Sequence, residues 1–364
     1  MLKSVKIENF RGFKSFELQQ LGRINLLVGE NNSGKTSILE AIQLFCSRCN
    51  LEILRETMNN RSEYFYDDEL RREGQIGRDG EIDIRHLFYG HEIEPGSQLS
   101  IMDDNQNKLS LSIELPLSDE KIPDELKELQ FRVSWIPELE DEPLIILPLS
   151  SNGGLPAFSI RKSRIKDGKN PIRKTLFITS SSLKTDQMIE LFNQVVLTPD
   201  EKIIEQTLNK IDSKIQRIAA VNPQRSRYSP YSRSGFVVLL GDTNQRVPIG
   251  SMGDGIWRIL GLALAIVSVK NGYLFVDEID TGLHFTAMSG MWKMVWDTAK
   301  RLNVQVFATT HSSDCWKSLA EIAEQENVRD DGIRIHRIEK GKSKSILFNE
   351  AQIIIAAERE LEVR

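Results

Sequence analysis

The nine residues Gly29-Glu30-Asn31-Asn32-Ser33-Gly34-Lys35-Thr36-Ser37 constrain this chain more than any other stretch of it. They fit the pattern G-x-x-x-x-G-K-[ST], and Ile24 to Val28 just before them is apolar apart from Asn25, as a buried central strand would be. After them Ile38, Ala41, Ile42 and Phe45 recur at helical spacing. Strand, glycine-rich turn and helix in that order predict a loop whose backbone N–H groups point at phosphate oxygens, with the positive end of the helix behind them. In such a loop Lys35 neutralises the outer phosphates, and the Thr36 hydroxyl ligates Mg2+. Gly29, Asn31, Asn32, Ser33, Gly34, Lys35, Thr36 and Ser37 are therefore the residues expected to hold a nucleoside triphosphate.

Three further motifs follow in the C-terminal third. Tyr273 to Val276 reads as an apolar strand that ends in Asp277-Glu278. Beside a phosphate loop, Asp277 is placed to hold Mg2+ through water and Glu278 to polarise an attacking water. Val306-Phe307-Ala308-Thr309-Thr310-His311-Ser312 is another apolar run ending in polar groups, and its imidazole, His311, can donate to the outermost phosphate. Gly250-Ser251-Met252-Gly253-Asp254-Gly255 opens an apolar helix, which makes Ser251 and Gly253 a second anion-binding helix start. The phosphate loop already supplies the donors for its own nucleotide, so Ser251 and Gly253 are assigned to the nucleotide of another subunit.

These four motifs in this order resemble the ABC-type ATPase heads of the SMC/RecF/OLD group. The opening Ile7-Glu8-Asn9-Phe10-Arg11-Gly12-Phe13 resembles that group's start. Asp277 to His284, Ala308 to Ser312 and Ser251 to Gly255 are most similar to OLD-like, RecF-like ATPases of bacterial defence loci. The resemblance implies a P-loop α/β fold, ATP with Mg2+ at Thr36 and Asp277, and Lys35, Glu278 and His311 as catalytic groups. It also implies a signature at Ser251 to Gly255 acting in trans, a dimer-contact loop from Asp280 to His284, and closure of a head-to-tail homodimer or higher assembly. The signature departs from the usual L-S-G-G-Q. No glutamine is diagnostic of the group's Q-loop, with Gln75, Gln98 and Gln106 all in plausible regions. No TOPRIM nuclease motif follows His311, so an effector is expected to be a separate protein. The alternative is a RecF-like DNA repair ATPase; a third reading is a scaffold that binds ATP and barely turns it over.

The domain reading follows from the motifs: residues 1–57 and 236–364 form the ATPase domain, and 58–235 is a mixed α+β and helical insertion. Within it Glu81 to Leu87 and Lys108 to Leu115 alternate like strands, while Thr185 to Val196 and Asp200 to Ala220 look helical. Asn209-Lys210-Ile211-Asp212 fits a guanine-reading motif but lies in that helical pattern, so ATP is the expected nucleotide. Lys plus Arg number 47 against 52 Asp plus Glu, a net charge of −5, which excludes a uniformly basic nucleic-acid binder. Two basic segments, Arg161 to Lys174 and Arg225 to Arg233, leave local DNA contact open, and residues 114–142 form an acidic counterpart. Three cysteines point to a reducing compartment, and Cys46, Cys49 and Cys315 are expected to be packing residues. The five tryptophans are expected in the core. With no signal core and no apolar run of membrane length, the expected location is cytoplasmic, with no membrane partner.

Overall fold

Ile24–Val28 is buried at every position because it has a core on each side. Strand alternation sends Ile24, Leu26 and Val28 into one core and Leu27 into the other. The computed structural model describes residues 1–65, 80–116, 129–136, 145–162, 172–221, 235–241, 245–326 and 332–364. Ile24–Val28 lies inside a six-stranded sheet in the order Thr175–Ile178, Tyr273–Val276, Gln305–Thr309, Ile24–Val28, Ile333–Arg337, Ile346–Phe348. The first five strands run parallel and the last is antiparallel. The phosphate loop, Asp277 and His311 therefore all follow the C-terminal ends of neighbouring parallel strands, where open α/β sheets bind ligands.

A second, antiparallel six-stranded sheet has the order Phe13–Leu18, Val5–Phe10, Gln98–Asp103, Lys108–Glu114, Gln130–Ile136, Ile145–Pro148. Helix Lys35–Cys46 is packed between the two sheets, its Ile38, Leu39, Ile42 and Phe45 sharing one core with Phe16, Ile101 and Phe307. Helices Asp254–Ser268, Phe285–Leu302 and Ser313–Gln325 cover the opposite face of the parallel sheet. This is the α/β architecture of a P-loop nucleotide-binding fold. The middle segment shares in both layers: Gln98–Asp103 pairs with Val5–Phe10, and Thr175–Ile178 pairs with Tyr273–Val276.

Two local expectations are corrected. Glu81 to Leu87 is a strand only over Glu81–Ile82; the Asp83 carboxylate then accepts from the Arg85 amide and opens a 3-10 turn, Ile84–Leu87. Helix Glu201–Ile211 stops at Asp212, and Ile215–Ala220 is a strand that pairs with Phe236–Leu240. Ile204, Leu208, Ile211 and Ile215 do keep a helical spacing, but long-range pairing overrides it. Asn209 marks the change, donating to the main-chain oxygens of Ser213 and Ile215. All five tryptophans are buried, as are Cys49 and Cys315. Most of Arg161 to Lys174, all of Arg225 to Arg233 and much of the acidic 114–142 stretch lie outside the described residues. Among the described residues no helix is long and apolar enough to cross a membrane.

Candidate functional site

The phosphate loop depends on two glycines that tolerate no side chain. Gly29 has φ 140°, and a Cβ there would lie 2.4 Å from the Ile338 carbonyl oxygen. Gly34 has φ 95°, and a Cβ there would lie 2.3 Å from the Phe13 ring. Phe13, from the opening motif, thus forms one wall of the loop. Lys35 is buried and its Nζ donates to the main-chain oxygens of Gly29 (2.9 Å) and Glu30 (2.7 Å). Burial lowers its pKa from 10.5 to about 8, opposed by the carboxylates of Asp277 and Glu278.

Thr36 follows on the same helix, and its hydroxyl meets both oxygens of Asp277 at 3.1 and 3.2 Å. Asp277 accepts a second hydroxyl, Thr309 Oγ1, at 2.7 Å. That Thr309 oxygen in turn accepts the Glu278 amide at 2.8 Å, so one threonine orients both carboxylate residues. Glu278 has φ 48°, a left-handed backbone, and its carboxylate accepts from Thr281 Oγ1 at 3.2 Å. One strand further on, Thr310 Oγ1 donates to Asp280 at 2.7 Å, which fixes the loop that carries His311. The His311 imidazole is partly buried; burial and the nearby Lys35 charge hold its pKa below the ordinary value, against the pull of Glu278, Asp280 and Asp277. The structure thus gathers Lys35, Thr36, Asp277, Glu278 and His311 at one end of the parallel sheet. Thr36 and Asp277 are adjacent hard-oxygen donors, a set whose chemistry fits Mg2+.

Ser251 and Gly253 are not part of that gathering. They stand exposed at the start of helix Asp254–Ser268, with Gly253 at φ 93°, and line neither of two cavities beside the loop. The larger cavity, about 940 Å3, opens beside Asn32, Gly34 and Ser37, with Phe13, Arg61 and Tyr89 among its other walls. A second, about 340 Å3, lies behind Thr36 and Asp277 against Ser182 and Gln187. Neither Gln98 nor Gln106 lines either one, and Gln75 lies outside the described residues.

Three groups escape motif reading. Arg258 is buried on an apolar helix and donates to the main-chain oxygens of Thr179 (3.2 Å), Asp277 (3.3 Å) and Glu278 (3.0 Å). Thr309 serves both carboxylate residues, as above. Glu40, one turn into the phosphate-loop helix, lies between Arg61 (2.6 Å) and Arg11 (2.9 Å), and Arg61 also donates to Ser37 Oγ at 3.3 Å. Of the three, only Arg258 carries a signal in the sequence, a charge inside an apolar helical run, which marks a group with a buried partner.

The chain is similar to several known proteins. A family model described as "AAA domain, putative AbiEii toxin, Type IV TA system" matches residues 24–314. A protein of Helicobacter pylori named "ATP/GTP phosphatase" is 23% identical over 352 residues, covering 90% of each chain. The DNA replication and repair protein RecF of Rickettsia massiliae is 54% identical over 44 residues, 12% of each chain. An SMC head domain from Thermotoga maritima aligns over 95% of this chain and 98% of its own, with a TM-score of 0.46 and 10% identity. With four-fifths of its length matched by that model, from the buried strand before the phosphate loop to the start of the helix after His311, the chain belongs to this AAA family and is an ATPase.

Proposed function

We propose that the chain hydrolyses Mg-ATP at a composite site, with Lys35, Thr36, Asp277, Glu278 and His311 from one copy and Ser251 and Gly253 from a second, packed head to tail. The observation that carries the reading is the hydrogen-bond chain Thr36–Asp277–Thr309–Glu278, its last link made by the Glu278 amide, which supports Thr36 and Asp277 as a metal-type donor pair and Glu278 as the base beside them. The exposed Ser251 and Gly253, unused by the loop of their own chain, support the second half.

In this mechanism the backbone N–H groups of Gly29 to Ser37 receive the phosphates, and Lys35 exchanges its carbonyl partners for their oxygens. Thr36 and Asp277 would hold Mg2+, which when bound would supply charge neutralisation at the phosphates. Glu278 accepts a hydrogen bond from the attacking water and aligns it with the outermost phosphorus; the Thr309–amide contact fixes the carboxylate's origin. His311 donates to the outermost phosphate, and burial with the nearby Lys35 charge holds its pKa below the ordinary value, which favours the neutral imidazole. Ser251 and Gly253 of the second copy close the site and exclude bulk water, leaving the attacking water held by Glu278. The cavity of about 940 Å3 beside the loop has the size to take the nucleoside.

The biological role we propose is that ATP-driven closure gates a separate effector protein, in defence against phage. The family description, which includes a toxin and a toxin–antitoxin system, supports a partnered role of this kind. The short, strong RecF similarity supports a second reading in which closure controls direct DNA contact.

The test is the solution mass of Glu278→Gln with and without Mg-ATP, by light scattering after gel filtration. Doubling with ATP, abolished in Ser251→Arg, is expected. ATP turnover that survives Lys35→Ala would sink the catalytic reading. ATP-independent mass, with turnover restored on mixing Lys35→Ala and Ser251→Arg subunits, would show a permanent assembly instead. Phage protection unaffected by Lys35→Ala would remove the defence role, and turnover stimulated by duplex DNA and lost steeply with salt would favour the RecF-like one.

A further inference from the structure

The carboxyl-terminal segment reaches back to the loop that carries His311. Val363 is 1% exposed and belongs to the same core as Cys315, Trp316 and Ala356, so the segment is anchored by an apolar plug. On either side of that plug Glu362 and Arg364 are joined as a fork: Arg364 Nη2 meets Glu362 Oε2 at 2.8 Å, and Arg364 Nε meets Oε1 at 2.9 Å. The remaining nitrogen, Nη1, donates to the main-chain oxygen of His311 at 2.5 Å. On its two sides His311 is flanked by fixed residues, Thr310 held to Asp280 and Ser312 capping helix Ser313–Gln325 through the Cys315 amide. A cation on its carbonyl sets the third constraint, the tilt of the peptide from which the imidazole projects.

We propose that Arg364 is a positioning residue for His311: oriented by Glu362 and anchored by Val363, its guanidinium fixes the His311 peptide so that the imidazole meets the outermost phosphate of ATP. The proposal rests on the role given to His311 above. A guanidinium is suited to this task because its fork lets one face bind a carboxylate while another N–H reaches a carbonyl.

The experiment is a double-mutant cycle on single-turnover ATP hydrolysis in the full chain, with His311→Ala, Arg364→Ala and both, plus Arg364→Lys. The expected result is a roughly three- to tenfold loss of rate in Arg364→Ala with KM unchanged, a partial return in Arg364→Lys, and an effect under about twofold when His311 is already alanine. Equal losses in both backgrounds, or no loss from Arg364→Ala while His311→Ala is impaired, would overturn the proposal and leave the His311 assignment standing. Full activity in His311→Ala would overturn that assignment and this proposal with it. Melting temperatures of the four proteins separate a tail that merely stabilises the fold, since that role predicts a Tm loss without dependence on residue 311.

Discussion

Arg258 Nη2 donates to the main-chain oxygen of Glu278 at 3.0 Å, tying the second turn of one helix to the turn that carries the second carboxylate. The same guanidinium serves the oxygens of Asp277 and Thr179, at the ends of two adjacent strands where the sheet ladder has run out. Glu278 needs that support, because a left-handed backbone costs a non-glycine residue roughly 1–2 kcal/mol. Arg258 is also four residues into the helix that begins at Asp254, directly after Ser251 and Gly253. In the proposed dimer one rigid helix therefore links the surface that meets a partner's nucleotide to the base of its own site.

Arg258→Met keeps the length and apolar stem but removes the donor to three part-buried carbonyls, of which Thr179 and Glu278 keep the backbone amides of Ser182 and Thr281. A loss of about 1–2 kcal/mol in urea unfolding is expected. Turnover should fall at least tenfold, to about the level of a misaligned catalytic group. Stability lost with turnover intact would show that the aim of Glu278 is set elsewhere.

Thr309→Val is nearly isosteric and tests the link between the carboxylates. It removes a donor to Asp277 and an acceptor for the Glu278 amide in one step. The expected cost to kcat/KM is about 1.5–3 kcal/mol, roughly ten- to a hundredfold, with ATP binding changed far less. Thr309→Ser, which keeps the oxygen, should return most of it. A valine variant at full activity would break the chain of hydrogen bonds on which the mechanism rests.

The parts of this site that a reader of the sequence can find are those whose chemistry is local. Gly29 to Ser37 is contiguous, and Tyr273 to Asp277 shows itself because a strand buried on both faces has to be apolar throughout. What stays hidden is whatever depends on distant pairing. Thr175–Ile178 is a short strand whose place beside Tyr273–Val276 nothing nearby announces. Ile215 to Ala220 continues a helical spacing by chance and is decided by Phe236–Leu240. Glu40 looks like an ordinary helical acid until Arg11 and Arg61 arrive on either side of it.

Gly34→Ala tests two effects at once, since it adds a methyl against Phe13 and a Cβ to a backbone at φ 95°. ATP binding should be lost below detection, and the melting temperature should fall. Phe13→Ala in the same chain removes the clash but not the backbone strain. It should therefore recover part of the melting temperature and none of the binding. Recovery of both would assign the whole defect to Phe13, and recovery of neither would place it all in the backbone.

Lys35 makes a pH prediction whose sign differs between folding and binding. Below about pH 8 it is charged in folded and unfolded chains alike, and the folded chain bears the full cost of burying the charge. Between about 8 and the ordinary 10.5 the folded chain sheds the proton first, so this residue's contribution favours folding more as pH rises. Phosphate prefers the charged form, so ATP binding reverses the trend: its affinity should weaken above about pH 8, and binding there should take up a proton. Calorimetry near pH 8.5 in two buffers of different ionisation enthalpy reads that uptake directly. Lys35→Arg stays charged throughout, so whatever its affinity it should show no uptake and a flat profile. A wild-type binding enthalpy that does not change with buffer would mean that Lys35 is fully charged before ATP arrives, and that burial does not weaken its hold on the proton.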